Sequence, residues 1–118
     1  MSLPLAGSFL GFLGVALGAF GAHGMASRFT PETRGWWETA TLYLLVHAVA
    51  VFAAGVSART GLFSTGGWVM VAGAVIFSGT LYAMALGAPR WFGAITPLGG
   101  IALLAGWALF AVAALKGA

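Results

Sequence analysis

Four apolar stretches, Leu3–Ala22, Glu38–Ser57, Gly67–Leu86 and Gly99–Lys116, take up nearly all of this 118-residue chain. Each approaches the ~20 residues that carry an α-helix across about 30 Å of hydrocarbon at about 1.5 Å per residue. That layer offers no water to satisfy open backbone groups, so a segment that crosses alone must be helical. The residue balance agrees: 61% of residues are hydrophobic and 6% charged, against about 45–50% and about 25% in a soluble domain. The expectation is one transmembrane domain over residues 1–118, all-α, with an interfacial segment at 23–37. Short links between the spans predict an antiparallel, up-down-up-down four-helix bundle. Met1–Pro4 carries no Lys or Arg, which argues against a cleaved signal peptide.

The first span carries Gly7, Gly11, Gly14, Gly18 and Gly21. Their gaps alternate four and three, so all five fall on one stripe with a period near 3.5. In water each glycine would cost the helix roughly 1 kcal/mol relative to alanine; in a bilayer a bare stripe is a slot for another helix. Gly79, Ala83 and Gly87 suggest a second small-residue ridge, and Gly99, Ala102 and Gly106 a third. Helix ends are signalled by Thr30-Pro31-Glu32 and Thr96-Pro97 as N-cap and N1 pairs, by Ser64 as a cap for the third span, and by a left-handed glycine in Gly21-Ala22-His23-Gly24. The helix from Pro31 either bends at Gly35 or runs straight on. Trp36 and Trp37 stand where an aromatic belt would be.

Five basic residues against two acidic ones give a net charge of +3. Spread over the links and the tail they form no patch, so they read as flanks of membrane spans; no nucleic-acid partner is expected. Arg28, Arg34 and Arg90 share one face and Arg59 and Lys116 the other, a majority that puts the first and third links on the cytoplasmic side. Arg28, Glu32, Arg34 and Glu38 predict interfacial ion pairs, with Arg34 and Glu38 one turn apart; headgroup binding by the arginines is the alternative. With no cysteine, no carboxylate pair inside a span, no His or Glu at ligand spacing and no phosphate-binding glycine loop, no metal or cofactor is implied.

His47 is the ionisable group deep in a span, and such a group is a functional hypothesis in itself. Measured from Glu38 and Gly87 as membrane boundaries, Tyr43 and Tyr82 lie about 7.5 Å deep, and His47 and Ser78 about 13.5 Å. On each helix the pair is four residues apart and shares a face, so His47, Tyr43, Ser78 and Tyr82 form a candidate ligand-binding cluster, with His23 and Glu38 at its mouth. His23, near a helix C-terminus, also suits the helix dipole. The bland alternative is a neutral His47 hydrogen-bonded to Tyr or Ser across helices. Trp107, unusual at mid-span, is expected to lie on a small residue of another helix.

Several blocks resemble one known family. Gly18-Ala19-Phe20-Gly21-Ala22-His23-Gly24 is similar to the GAFGAHG signature of the YgdD-type small membrane proteins, a bacterial family with eukaryotic relatives in the transmembrane protein 256 family. Trp37, Thr39, Ala40, Tyr43, His47 and Ala48 match its W-x-T-A-x-x-Y-x-x-x-H-A pattern, Phe77–Tyr82 its FSGxLY block, and Ile95–Gly100 with Gly106-Trp107 its ITPxGG…GW ending. The family often has glutamine where this chain has Leu44. The resemblance implies four spans and no established activity. The residues point first to a non-enzymatic bundle in the plasma or inner membrane that binds a lipid, a partner membrane protein or copies of itself. A small transporter or proton-coupled binding protein using the His/Tyr/Ser cluster is the alternative, and an enzyme on a membrane-soluble substrate with His47 as base a more distant one.

Overall fold

A computed structural model describes residues 1–57 and 61–117; Arg59, counted in the charge balance, lies outside them. Four helices follow one another: α1 (Leu3–Ala19), α2 (Pro31–Val56), α3 (Leu62–Ala85) and α4 (Thr96–Leu115). A wide π-turn, Phe20–Gly24, extends α1, and two 3₁₀ turns, Ala26–Arg28 and Arg90–Ala94, occupy the first and third links. All four helices are long and apolar enough to cross a membrane, and no strand occurs among the described residues. The protein is a multi-pass helical bundle.

The Thr30 cap forms as its sequence demands. Its hydroxyl accepts from Thr33 N (3.1 Å), Thr33 Oγ1 accepts from Thr30 N (2.9 Å), and Pro31 sits in the first turn. From there α2 runs without interruption to Val56, straight past an exposed Gly35. Three expected helix ends differ. Thr96 does not cap α4; its hydroxyl is spent sideways on Thr80 Oγ1 (2.6 Å) and on the Phe92 carbonyl (3.3 Å). Gly61, at φ +64°, precedes α3 and leaves Ser64 inside the helix. α1 ends in no left-handed glycine: Met25 N–H reaches back five residues to the Phe20 carbonyl (3.0 Å) and widens the last turn.

The five-glycine stripe of α1 faces α2 along its whole length. A Cβ on Gly7 would stand 2.7 Å from Phe52 N, one on Gly14 2.6 Å from Leu45 Cδ2, and one on Gly18 3.0 Å from Thr41 Cγ2. Gly21 is covered by the Trp37 indole, and Gly11 has ordinary room beside Ala48. Steps of seven along α1 are met by steps of seven back along α2 from Phe52 to Leu45 and from Ala48 to Thr41, and by one of eight from Leu45 to Trp37, close to the register of an antiparallel heptad. At the far end the roles exchange, with Pro4 of α1 seated on Gly55 of α2.

The α3–α4 pair repeats the device. Gly66 faces Gly106 and Gly73 faces Gly99, so that Cβ atoms there would lie within 3.1 Å of the opposing carbonyls. The expected ridge on α4 is thus in contact, with Ala102 against Gly73. The expected ridge on α3 is not: Gly79 and Gly87 face open space. α4 follows the face of α3 that carries Gly66, Met70, Gly73 and Phe77, and Gly79 lies two residues past Phe77, about 200° round the helix. Between α2 and α3 the core is Ala40, Ala48, Val51, Met70, Ala74 and Ser78, all nearly or wholly buried. Leu3 of α1 rests on Gly67 of α3. A groove floored by α3 separates α2 from α4.

Candidate functional site

The polar side chains inside the spans pair off at separate places and do not form one cluster. On the α2–α3 seam, Ser78 Oγ donates to the Ala40 carbonyl (2.8 Å) and the Tyr82 hydroxyl shares a 2.6 Å hydrogen bond with Thr41 Oγ1. On the α2–α4 side, His47 Nδ1 lies 2.6 Å from the Tyr43 carbonyl of its own helix, while Trp107 Nε1 donates to His47 Nε2 across the groove (3.0 Å). An indole nitrogen only donates, so His47 Nε2 must be an unprotonated acceptor and Nδ1 must carry the proton toward Tyr43. His47 is 6% exposed and neutral in this geometry, with both nitrogens occupied.

The depth count started too far along α2. It began at Glu38, but the Thr30 cap starts α2 seven residues earlier; counted from Pro31, Ala40 lies as deep as Ser78 does from Gly87, and these two bond. Tyr43 remains on the His47 face, its ring stacked on His47 at 5.8 Å and 4.5 Å from the Phe77 ring, and the residue is exposed in the groove. Trp107 does not hide on a small residue. It is 46% exposed, edge-on to Phe110 and to His47, and its position at mid-span is explained by the acceptor that His47 offers.

Trp37 is no belt residue either. It is 3% exposed, donates from Nε1 to the Leu17 carbonyl near the end of α1 (2.8 Å) and packs its ring at 4.5 Å on Tyr82, 5.4 Å on Phe29 and 6.4 Å on Phe20. The Leu17 carbonyl takes this indole in addition to the Phe20 backbone N–H, so the end of α1 is tied to α2 by a second donor. Gly21 exists to admit that ring. The first-link signature and the tryptophan of the second block are therefore two halves of one contact. Leu44 is buried at 4% beside Gly14.

Above Trp37 opens the cavity that most resembles a site. It encloses about 480 Å³ between the wide turn of α1 and the first three turns of α2, lined by Gly18, Phe29, Arg34, Trp37, Glu38, Thr41 and Leu42 among others. Arg34 Nη2 donates to the Ala26 carbonyl (2.8 Å), and its guanidinium carbon lies 5.8 Å from the centre of the Phe29 ring. The expected Arg34–Glu38 ion pair does not form. Among the described residues the ion pair that forms is Arg90–Glu32 at 2.6 Å, tying the third link to the first turn of α2, with Arg90 over the Trp36 ring at 5.4 Å. Arg28 and His23 are exposed, and His23 lines no part of this cavity.

Of the sequence-derived candidates, Glu38, Gly18 and Gly21 border the cavity, and so does Arg34, to which the headgroup alternative pointed. Trp37 and Thr41 join them there unforeseen. Their signal was the register itself, since Trp37 and Thr41 stand one turn apart opposite Gly21 and Gly18. Among the described residues no buried side-chain nitrogen or oxygen lacks a hydrogen-bond partner, and no three His, Asp or Glu side chains converge.

Residues 17–100 match the model of a family described as "Protein of unknown function (DUF423)". The chain is 40% identical over 114 residues to the UPF0382 membrane protein YwdK of Bacillus subtilis, covering 93% of both chains. It is 36% identical over 112 residues to the UPF0382 membrane protein SSP2132 of Staphylococcus saprophyticus, again covering 93% of each. To the UPF0382 inner membrane protein YgdD of Escherichia coli K12 it is 38% identical over 109 residues, 90% of this chain and 83% of that one. No solved structure matches. With four membrane-crossing helices and relatives along nearly its whole length, this chain belongs to the DUF423/UPF0382 family of multi-pass inner-membrane proteins, for which no biochemical activity is indicated.

Proposed function

We propose that the protein is a non-enzymatic bundle that binds a phospholipid in the cavity above Trp37. The observation that carries this reading is Arg34, fixed by the Ala26 carbonyl and the Phe29 ring, without a carboxylate partner, in the wall of a cavity whose other walls are largely apolar. A guanidinium has five N–H donors and matches phosphate geometry. Only one link is given to Ala26, which leaves donors for a ligand.

The depth suits a headgroup. At about 1.5 Å per residue, the 26 residues of α2 extend about 39 Å, roughly 9 Å more than the hydrocarbon layer. The charged residues of α2 all lie in its N-terminal third, so the surplus belongs at that end. Arg34 then stands in the headgroup layer, Trp37 and Glu38 at its boundary with the hydrocarbon, and Thr41 and Leu42 below them. The local pairing of His47, Ser78 and Tyr82 supports a packing role for them and weighs against a connected proton path.

The test is native mass spectrometry of the detergent-solubilised protein titrated with dioleoyl phosphatidylglycerol and dioleoyl phosphatidylethanolamine. A one-to-one adduct is expected, and Arg34→Gln should weaken it by about tenfold or more, since a charge-assisted hydrogen bond is worth about 1.5–3 kcal/mol. Arg28→Gln, on the same membrane face but outside the cavity, should change it little. Equal losses in the two variants would mean diffuse attraction and would refute the site.

A further inference from the structure

The cavity holds two opposite charges that do not neutralise one another. Arg34 and Glu38 stand at i and i+4 on α2, the spacing at which an arginine and a glutamate ordinarily meet. Here the guanidinium is drawn the other way, to the Ala26 carbonyl and over Phe29. Glu38 is left exposed, with no cation bound to it among the described residues, while its neighbour Glu32 is taken by Arg90. Both Arg34 and Glu38 line the same cavity. A fixed cation and an open carboxylate four residues apart, about 6 Å along the helix axis at about 1.5 Å per residue, call for a ligand that carries an anion and a cation about a helical turn apart.

Resting on the phospholipid reading above, we infer that the cavity selects a zwitterionic head with a primary ammonium, of the phosphoethanolamine type, its phosphate on Arg34 and its ammonium on Glu38. Two methylenes separate the phosphate ester oxygen from the nitrogen in such a head, which is a reach of about one turn. A primary ammonium donates three N–H bonds and meets a carboxylate directly. A phosphoglycerol head places its anion equally well on Arg34 but offers Glu38 only neutral hydroxyls, and a choline head has no N–H to donate. The apolar floor of Trp37, Phe29 and Leu42 receives the start of the acyl chains.

The experiment is competition by native mass spectrometry between equimolar dioleoyl phosphatidylethanolamine and dioleoyl phosphatidylglycerol, which differ in the head alone. Wild type should retain the ethanolamine lipid at least fivefold over the glycerol lipid. Glu38→Gln, a change at an exposed position, should bring that ratio to within twofold of unity by weakening the ethanolamine adduct. Arg34→Gln should lower both lipids together. Soluble glycerophosphoethanolamine, which has the head and no chains, should fail to displace the lipid; displacement at equal concentration would show that a free phosphate ester is the ligand and overturn the lipid assignment. A wild-type ratio near one, or a preference unchanged by Glu38→Gln, overturns the selectivity and leaves the phospholipid site standing. No adduct of either lipid, or adducts indifferent to Arg34→Gln, overturns both.

Discussion

One methyl group added at two positions of the same stripe should have opposite consequences. At Gly7 a Cβ would lie 2.7 Å from Phe52 N, 2.9 Å from Phe52 Cα and 3.0 Å from the Ala48 carbonyl oxygen, and ordinary contact begins at 3.4 Å. The deficit is 3.4 less 2.7, about 0.7 Å, against helical backbone that has no rotamer to change. α1 and α2 must separate by about that distance, which also loosens Leu3 and Leu10 from the core. Overpacking of this kind costs about 1–3 kcal/mol. At Gly11 the nearest atom is Ala48 Cβ at 3.8 Å, so alanine there fits, adds a contact and removes glycine's helix penalty of up to ~1 kcal/mol. Reversible unfolding in mixed micelles, followed by circular dichroism, should place Gly7→Ala below wild type and Gly11→Ala level with it or above. If Gly11→Ala destabilised as much as Gly7→Ala, the close approach of α1 to α2 along this register would be wrong.

Two further outcomes follow from the hydrogen bonds within the spans. Nitrogen NMR of the His47 ring should show a protonated Nδ1 and an unprotonated Nε2, and Trp107→Phe, which leaves that acceptor buried and alone, should destabilise by about 1–3 kcal/mol; a ring protonated on Nε2 would contradict the pairing across the groove. A double-mutant cycle of Thr41→Val with Tyr82→Phe should give a coupling near 0.6 kcal/mol, the average for polar pairs between membrane helices. Strict additivity in unfolding free energies would show that the 2.6 Å contact does not persist in the folded ensemble.

The spans, the all-α class and the glycine stripe of α1 were legible from the sequence, because hydropathy and periodicity are properties of one segment at a time. So was the Thr30 cap, and a depth count begun there would have matched Ala40 with Ser78. The left-handed end expected for α1 was not realised, because Gly21 is used for the Trp37 ring and the helix widens there. The α3 ridge at Gly79 and Gly87 failed for a related reason: small residues at helical spacing mark a face that could be approached, not the face that is.

Composition and spacing alone therefore settled that this chain crosses a membrane four times and that its first helix carries a stripe where another helix can come close. Which side chains meet was settled by the rotation of each helix about its own axis. Counting residues gives depth and says nothing of azimuth, so the bond from Trp107 to His47, the seating of Trp37 on Leu17 and the separation of Arg34 from Glu38 arise only when neighbouring helices lock together. Each depends on a surface that belongs to another segment, and no single segment encodes it.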